Sequence, residues 1–340
     1  MQGGFGDASG ILAHCQRAHF SLSTAHLPPR PMLLDIFLQV CLPLVIVAGL
    51  GFVMDRKFRL NLESLVKLNL YLFVPAFAFV RLVDTPLKGG GEGRIMFCVF
   101  TMMMLCGVLS YLVGRVLRLD HAAQKAHALG SMLANCGNFG LPLVMLAFDK
   151  EAAAVQVYAL ITMNVSMFTV GMFLANTQSG GGVKSHLRSL MATLRQPSIY
   201  AVLSAVICRV LHLDVKSVVW LWEPLHMLAE ALIGFALVTL GVQLSQTKPA
   251  PLKAPLVSCL AIRLLAGPLL AFGLTQALHF PKSVAAVLIL SSGAPTAVNS
   301  ALLAHEFGGD RAFATASVYY STLLSLLTVT VNLALLRWWL

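Results

Sequence analysis

The chain has 340 residues, 58% of them hydrophobic and 11% charged, where an average soluble domain carries about a quarter charged. That excludes a soluble enzyme or binding module. The net charge of +10 does not imply a nucleic-acid partner, because the 24 Lys and Arg fall mainly between apolar stretches.

Residues 1–31 carry no continuous apolar stretch and fit neither a signal peptide nor a membrane span. They are read as a misassigned upstream extension or a disordered tail, with Met32 opening MLLDIFLQVCLPL as the more natural start. From there, ten apolar stretches follow at 34–54, 64–83, 95–117, 126–148, 152–175, 196–212, 219–242, 255–278, 283–304 and 313–338. Each is near the roughly 20 residues that cross about 30 Å of hydrocarbon as a helix. Barrel strands would alternate apolar and polar residues over about 10 positions, and no such alternation occurs. The expected fold is an all-α polytopic membrane protein.

Basic residues follow the odd-numbered spans: Arg56, Lys57 and Arg59, then Arg115, Arg118 and Lys125, Lys184, Arg188 and Arg195, Lys248 and Lys253, and Arg311. The alternate loops hold fewer, chiefly Lys88, Arg94, Lys150, Lys216 and Lys282. The positive-inside rule then places both termini outside, and the expected location is the cell's inner (plasma) membrane. The hydrophilic stretch 177–197 is read as a cytoplasmic linker between a five-helix half at 32–176 and another at 198–340.

The halves resemble each other. At an offset of 161, Ser131 meets Ser292, Asn138 meets Asn299, Leu141 meets Leu302, Asp149 meets Asp310, and Val157 and Tyr158 meet Val318 and Tyr319. Because five is odd, the second copy would enter the membrane from the opposite side, giving an inverted repeat with a site near the midplane.

Polar, helix-breaking clusters fall at matching places. In LANCGNFGLP (133–142), Pro142 lacks an N–H and disfavours helix before it, while Gly137 and Gly140 ease departure from helical geometry. Span 4 is expected to break near residues 135–142, and SSGAPTAVNS repeats the device in span 9 with Gly293, Pro295, Thr296 and Asn299. Broken backbone at membrane depth must be buried in protein or face a wet cavity. Half-helix N-termini there suit a carboxylate or another anion. Asn135, Asn138, Pro295, Thr296 and Asn299 are therefore the candidate substrate-binding residues.

Among charges inside spans, Glu230 and Arg263 lie near mid-depth on consecutive helices and are read as a pair, with Glu230 as a candidate proton site and Arg263 as an anion attractor or packing partner. Glu63 and Lys67 are read as an interfacial pair; Asn69 and Asn164 are weaker cavity candidates. The seven cysteines lack CxxC spacing and read as packing residues, so no metal site is expected. There is no GxSxG elbow, HExxH or P-loop, which argues against an enzyme or a primary pump.

The motifs NCGNFGLP (135–142), APTAVNSALLAHEF (294–307) and VPAF (74–77) resemble the auxin efflux carrier family in its bacterial members, within a bile-acid/sodium symporter-like superfamily. The resemblance covers about residues 32–340. It implies ten helices in two inverted five-helix repeats, crossing broken helices 4 and 9, and export or exchange of organic acids. In the plant carriers an asparagine seven residues before the helix-4 proline helps bind the carboxylate, which corresponds to Asn135, and the helix-9 proline corresponds to Pro295. The long hydrophilic central loop of the plant proteins is absent here, so auxin and loop-based regulation do not carry over. Bacterial relatives named as malonate or malate carriers point to a small carboxylate. The expected function is secondary active transport of such an anion with no cofactor, leaving open a coupling proton or sodium ion and a homodimer. A passive anion channel and a membrane-embedded ligand sensor are the alternatives.

Overall fold

A computed structural model describes residues 32–84, 91–179, 197–247, 250–306 and 308–340. The N-terminal segment 1–31 and most of the linker lie outside the described residues; the helices on either side run into the linker's two ends, to Ser179 and from Pro197.

All described secondary structure is helical, apart from one isolated bridge. The helices are α1 (Met32–Phe58), α2 (Leu62–Asp84), α3 (Glu92–Val116), α4 (His121–Met132), α5 (Cys136–Ala147), α6 (Lys150–Ser179), α7 (Pro197–Val210), α8 (Val219–Gln246), α9 (Ala254–Ala277), α10 (Lys282–Ser292), α11 (Asn299–Glu306) and α12 (Arg311–Trp339). Of these, α1, α2, α3, α8, α9 and α12 are long and apolar enough to cross a membrane. The fourth expected span is divided into α4 and α5, and the ninth into α10 and α11. The sixth, α7, is only 14 residues long.

The helices form two packed groups. In one, α1 lies along α8, and α2 packs against α7 and α8. The α1–α8 seam is close because glycines face backbone across it: a Cβ on Gly51 would stand 2.2 Å from Val238 O, and one on Gly241 1.8 Å from Ala48 O. At its end, Gln246 Nε2 donates to Asp55 Oδ1 and to Leu60 O, both at 2.8 Å. In the other group, α3 packs on α4, α6 and α9, α9 on α10, and α12 on α4 and α11. Helix α5 touches both groups, α6 and α10 in one and α1 and α8 in the other, and the groups also meet directly where α2 packs on α6 and α1 on α12.

Asp149 and Asp310, matched by the 161-residue offset, play the same part. Each caps the helix that follows it, with Oδ1 accepting from Ala152 N at 3.3 Å and from Phe313 N at 3.0 Å.

Candidate functional site

The chain leaves helical geometry at Leu133 (φ −91°, ψ 109°) and returns to it at Cys136. The break therefore lies upstream of the expected 135–142, and there is a physical reason. Pro142 is absorbed inside α5, directly after the π-helical turn Cys136–Gly140, and does not interrupt the helix. Gly137 and Gly140 lie in a π-helical turn, Cys136–Gly140, and not in the extended segment. In the second break, Gly293 ends α10, and the chain runs through Pro295 and Thr296 before α11 begins at Asn299.

The two breaks meet. Ala134 and Thr296 form an antiparallel bridge in which Asn135 N donates to Pro295 O at 2.7 Å and Ala297 N to Leu133 O at 2.8 Å. Further groups freed by the interruptions are satisfied locally, as a water-poor interior requires. Thr296 N donates to Ser321 Oγ at 2.9 Å, Thr296 Oγ1 to Gly130 O at 2.8 Å, and Gln156 Nε2 to Cys136 O at 2.8 Å. Arg263 from α9 donates through Nη1 to Ser131 O and Met132 O, at 3.1 and 3.2 Å, and through Nη2 to Ser292 O.

Beside this joint lies a cavity with about 60 Å³ open to the centres of water molecules, space for several waters by the usual measure of about 10–15 Å³ each. Its wall combines Asn69 of α2, Asn135 and Asn138 at the start of α5, Asn164 of α6, and Ala297 and Val298 from the second break. The polar atoms form a chain: Asn69 Nδ2 donates to Asn138 Oδ1, and Asn138 N donates to Asn135 Oδ1 at 3.1 Å, capping α5. Two ends of that chain are left over. Asn135 Nδ2 and Asn69 Oδ1 are buried with no hydrogen-bond partner among the described residues.

Of the expected binding residues, Asn135 and Asn138 line the cavity. Pro295 and Thr296 do not: the proline contributes its carbonyl to the bridge, and the threonine hydroxyl is turned inward to Gly130 O. Asn299 opens α11, and its side chain lies outside the described residues. Among the described side chains, the first break contributes the amides Asn135 and Asn138 to the cavity wall, and the second contributes Ala297 and Val298.

The expected Glu230–Arg263 pair is not formed. Glu230 pairs with Arg81 of α2 at 2.7 Å, with His226 Nε2 at 3.9 Å from the same oxygen. Counting residues along two helices fixes depth but not the face each side chain occupies. Arg81 was legible as a charge inside an expected span, and the structure buries it to 3% exposure over the Phe77 ring. The Glu63–Lys67 pair lies in solvent-exposed positions at 2.5 Å, as the i, i+4 spacing suggests.

A multi-pass helical membrane protein with an internal polar site at paired helix breaks is the class these features define. Residues 36–333 match the membrane transport protein family, and the chain belongs to it, the auxin efflux carrier family that its motifs resemble. Among its relatives are an uncharacterized transporter of Methanothermobacter thermautotrophicus, 24% identical over 86% of this chain and 95% of that protein, and an uncharacterized transporter of Methanocaldococcus jannaschii, 23% identical over 70% and 77%. A third, from Rhizobium meliloti, is named as a candidate malonate transporter and is 24% identical over 87% of this chain and 94% of that protein. The family and these relatives are transporters by name, not enzymes.

Proposed function

We propose that the protein is a secondary active transporter of a small carboxylate, working by alternating access in export or exchange. In this reading two inverted five-helix halves lie in the plasma membrane with both termini outside, and the flux is driven by a proton or sodium gradient or by the substrate's own. The observation that carries it is the cavity at the joint of the two breaks, where Asn135 offers a buried amide donor with no partner among the described residues and the first turn of α5 forms part of the wall. An uncompensated buried donor is costly and a carboxylate oxygen would satisfy it. The first-turn N–H groups and the helix dipole favour the same sign of charge. The small volume and neutral amide lining fit a compact acid, and the name of the Rhizobium relative makes malonate the first to test.

The test is counterflow in proteoliposomes of purified protein. Labelled malonate or another short dicarboxylate should enter with saturation and be accelerated by unlabelled substrate inside. Non-saturating flux without trans-acceleration would establish a channel instead. Failure of every small carboxylate to move or to stabilise the protein would remove the proposal.

A further inference from the structure

Helices α4 and α10 both end at the crossing. The last carbonyls of a helix lack intrahelical partners, and each C-terminus carries about half a negative charge. Arg263 serves both ends at once, with Nη1 on the carbonyls of Ser131 and Met132 and Nη2 on that of Ser292. It is completely buried, and none of the ion pairs among the described residues includes it. Its own helix is adapted to the task. Residues Ile262–Ala266 wind as a π-helical turn, and Gly267, four residues on, makes room for the guanidinium: a Cβ there would stand 2.9 Å from Arg263 Nη2 and 3.0 Å from Ser292 O.

The charge balance follows. Two helix C-termini (α4, α10) and two N-termini (α5, α11) converge, and their partial charges of about one half each cancel. The guanidinium then leaves the crossing with about one net positive charge in a medium that screens poorly. A cation held by converging carbonyls would do the same electrostatic work, and Arg263 already occupies that position.

We propose that Arg263 is a positioning residue that fastens the C-terminal ends of α4 and α10 into one rigid crossing, and that its fixed charge lets the site bind an anion without a co-bound cation. The second half rests on the transport reading above; the first does not.

The experiment compares wild type with Arg263→Gln, Arg263→Lys and Gly267→Ala. Amide hydrogen exchange over residues 133–136 and 295–298 reads the fastening. Exchange should be at least tenfold faster in Arg263→Gln, and unchanged exchange overturns the fastening whatever the chain carries. Uptake of malonate and of its monomethyl ester reads the charge. Wild-type uptake should be unaffected when choline replaces sodium. Arg263→Gln should raise KM about tenfold more for the dianion than for the monoanion, the size expected of one charge acting over roughly 10 Å at an effective dielectric constant of about 20. Arg263→Lys should preserve that discrimination while lowering turnover. Equal losses for both substrates, or a sodium requirement in wild type, overturn the charge role. If wild type moves no carboxylate, the transport reading and the charge role fall together, and exchange still decides the fastening. Should Arg263→Gln fail to fold, Gly267→Ala displaces the guanidinium without removing its charge: faster exchange with intact discrimination supports the proposal, and wild-type exchange opposes it.

Discussion

Asn135 has two jobs at opposite ends of one amide. Its Oδ1 accepts from Asn138 N and caps α5, while its Nδ2 is buried without a partner among the described residues. Substitutions can separate the two. Asn135→Asp keeps an acceptor for the cap, where aspartate is as good as asparagine, but removes the donor and places a negative charge beside any bound anion. Asn135→Ala removes both. Uptake should fall at least tenfold in each variant, since a hydrogen bond to a charged group is worth about 1.5–3 kcal/mol. The melting midpoint in detergent should fall clearly only in Asn135→Ala. Equal uptake by Asn135→Asp and wild type would show that the amide donor does not meet the substrate. That asparagines stand at a break here was legible, because Gly137, Gly140 and Pro142 surround them. The inward turn of Thr296 and the three carbonyls gathered by Arg263 were not. Backbone acceptors look identical at every position of a sequence, and only the fold decides which ones converge.

Two of the devices that join helices in this molecule differ in kind. The α1–α8 seam depends on the absence of side chains at Gly51 and Gly241, each of which faces a backbone carbonyl that cannot move unless the helices separate. Gly241→Ala should therefore destabilise the protein by about 1–3 kcal/mol, as overpacking does. Gly234→Ala, in the same helix with nothing within 4 Å of the added Cβ, should be neutral or stabilising by up to about 1 kcal/mol through helix propensity. Thermal unfolding of the two variants side by side checks the sign of each. The second device is the bridge between the breaks, where a pair of backbone hydrogen bonds takes the place of side-chain packing. Six of the expected spans and the pairing of Asp149 with Asp310 could be anticipated from hydropathy and from the 161-residue offset. The exact place of the first break could not, because a proline absorbed inside a helix after a π-helical turn and one that ends a helix look alike in sequence. The π-helical turns at Phe37–Cys41, Asn69–Phe73, Cys136–Gly140 and Ile262–Ala266, four among the described residues, leave no periodic signal either. Three of them carry or adjoin residues of the crossing or the cavity, in keeping with the frequent place of such turns at functional sites.

At the scale of the whole molecule, the cavity lies where the two helix groups face each other. Asn69 comes from α2, which packs with α7 and α8, and Asn138 from α5, which is tied through the bridge to the group containing α10 and α12. Their hydrogen bond thus spans the boundary along which one group would have to slide or rock past the other for a site at the joint to open to alternate sides. In a background with the seven native cysteines replaced, Asn69→Cys together with Asn138→Cys, bridged by a short bis-thiosulfonate reagent, should abolish uptake, and a thiol reductant should restore it. Either single cysteine treated in the same way should keep most of the activity of its untreated form. The control matters because both side chains line the cavity, so a bulky adduct alone could block it; only the double variant pins the groups together. Thermal stabilisation by malonate should survive in the unbridged double variant if binding requires chiefly Asn135. Uptake that continues with the bridge demonstrably in place would mean that α2 and α5 do not separate during the cycle. The moving boundary would then have to lie elsewhere in the molecule, and alternating access through this joint would be ruled out.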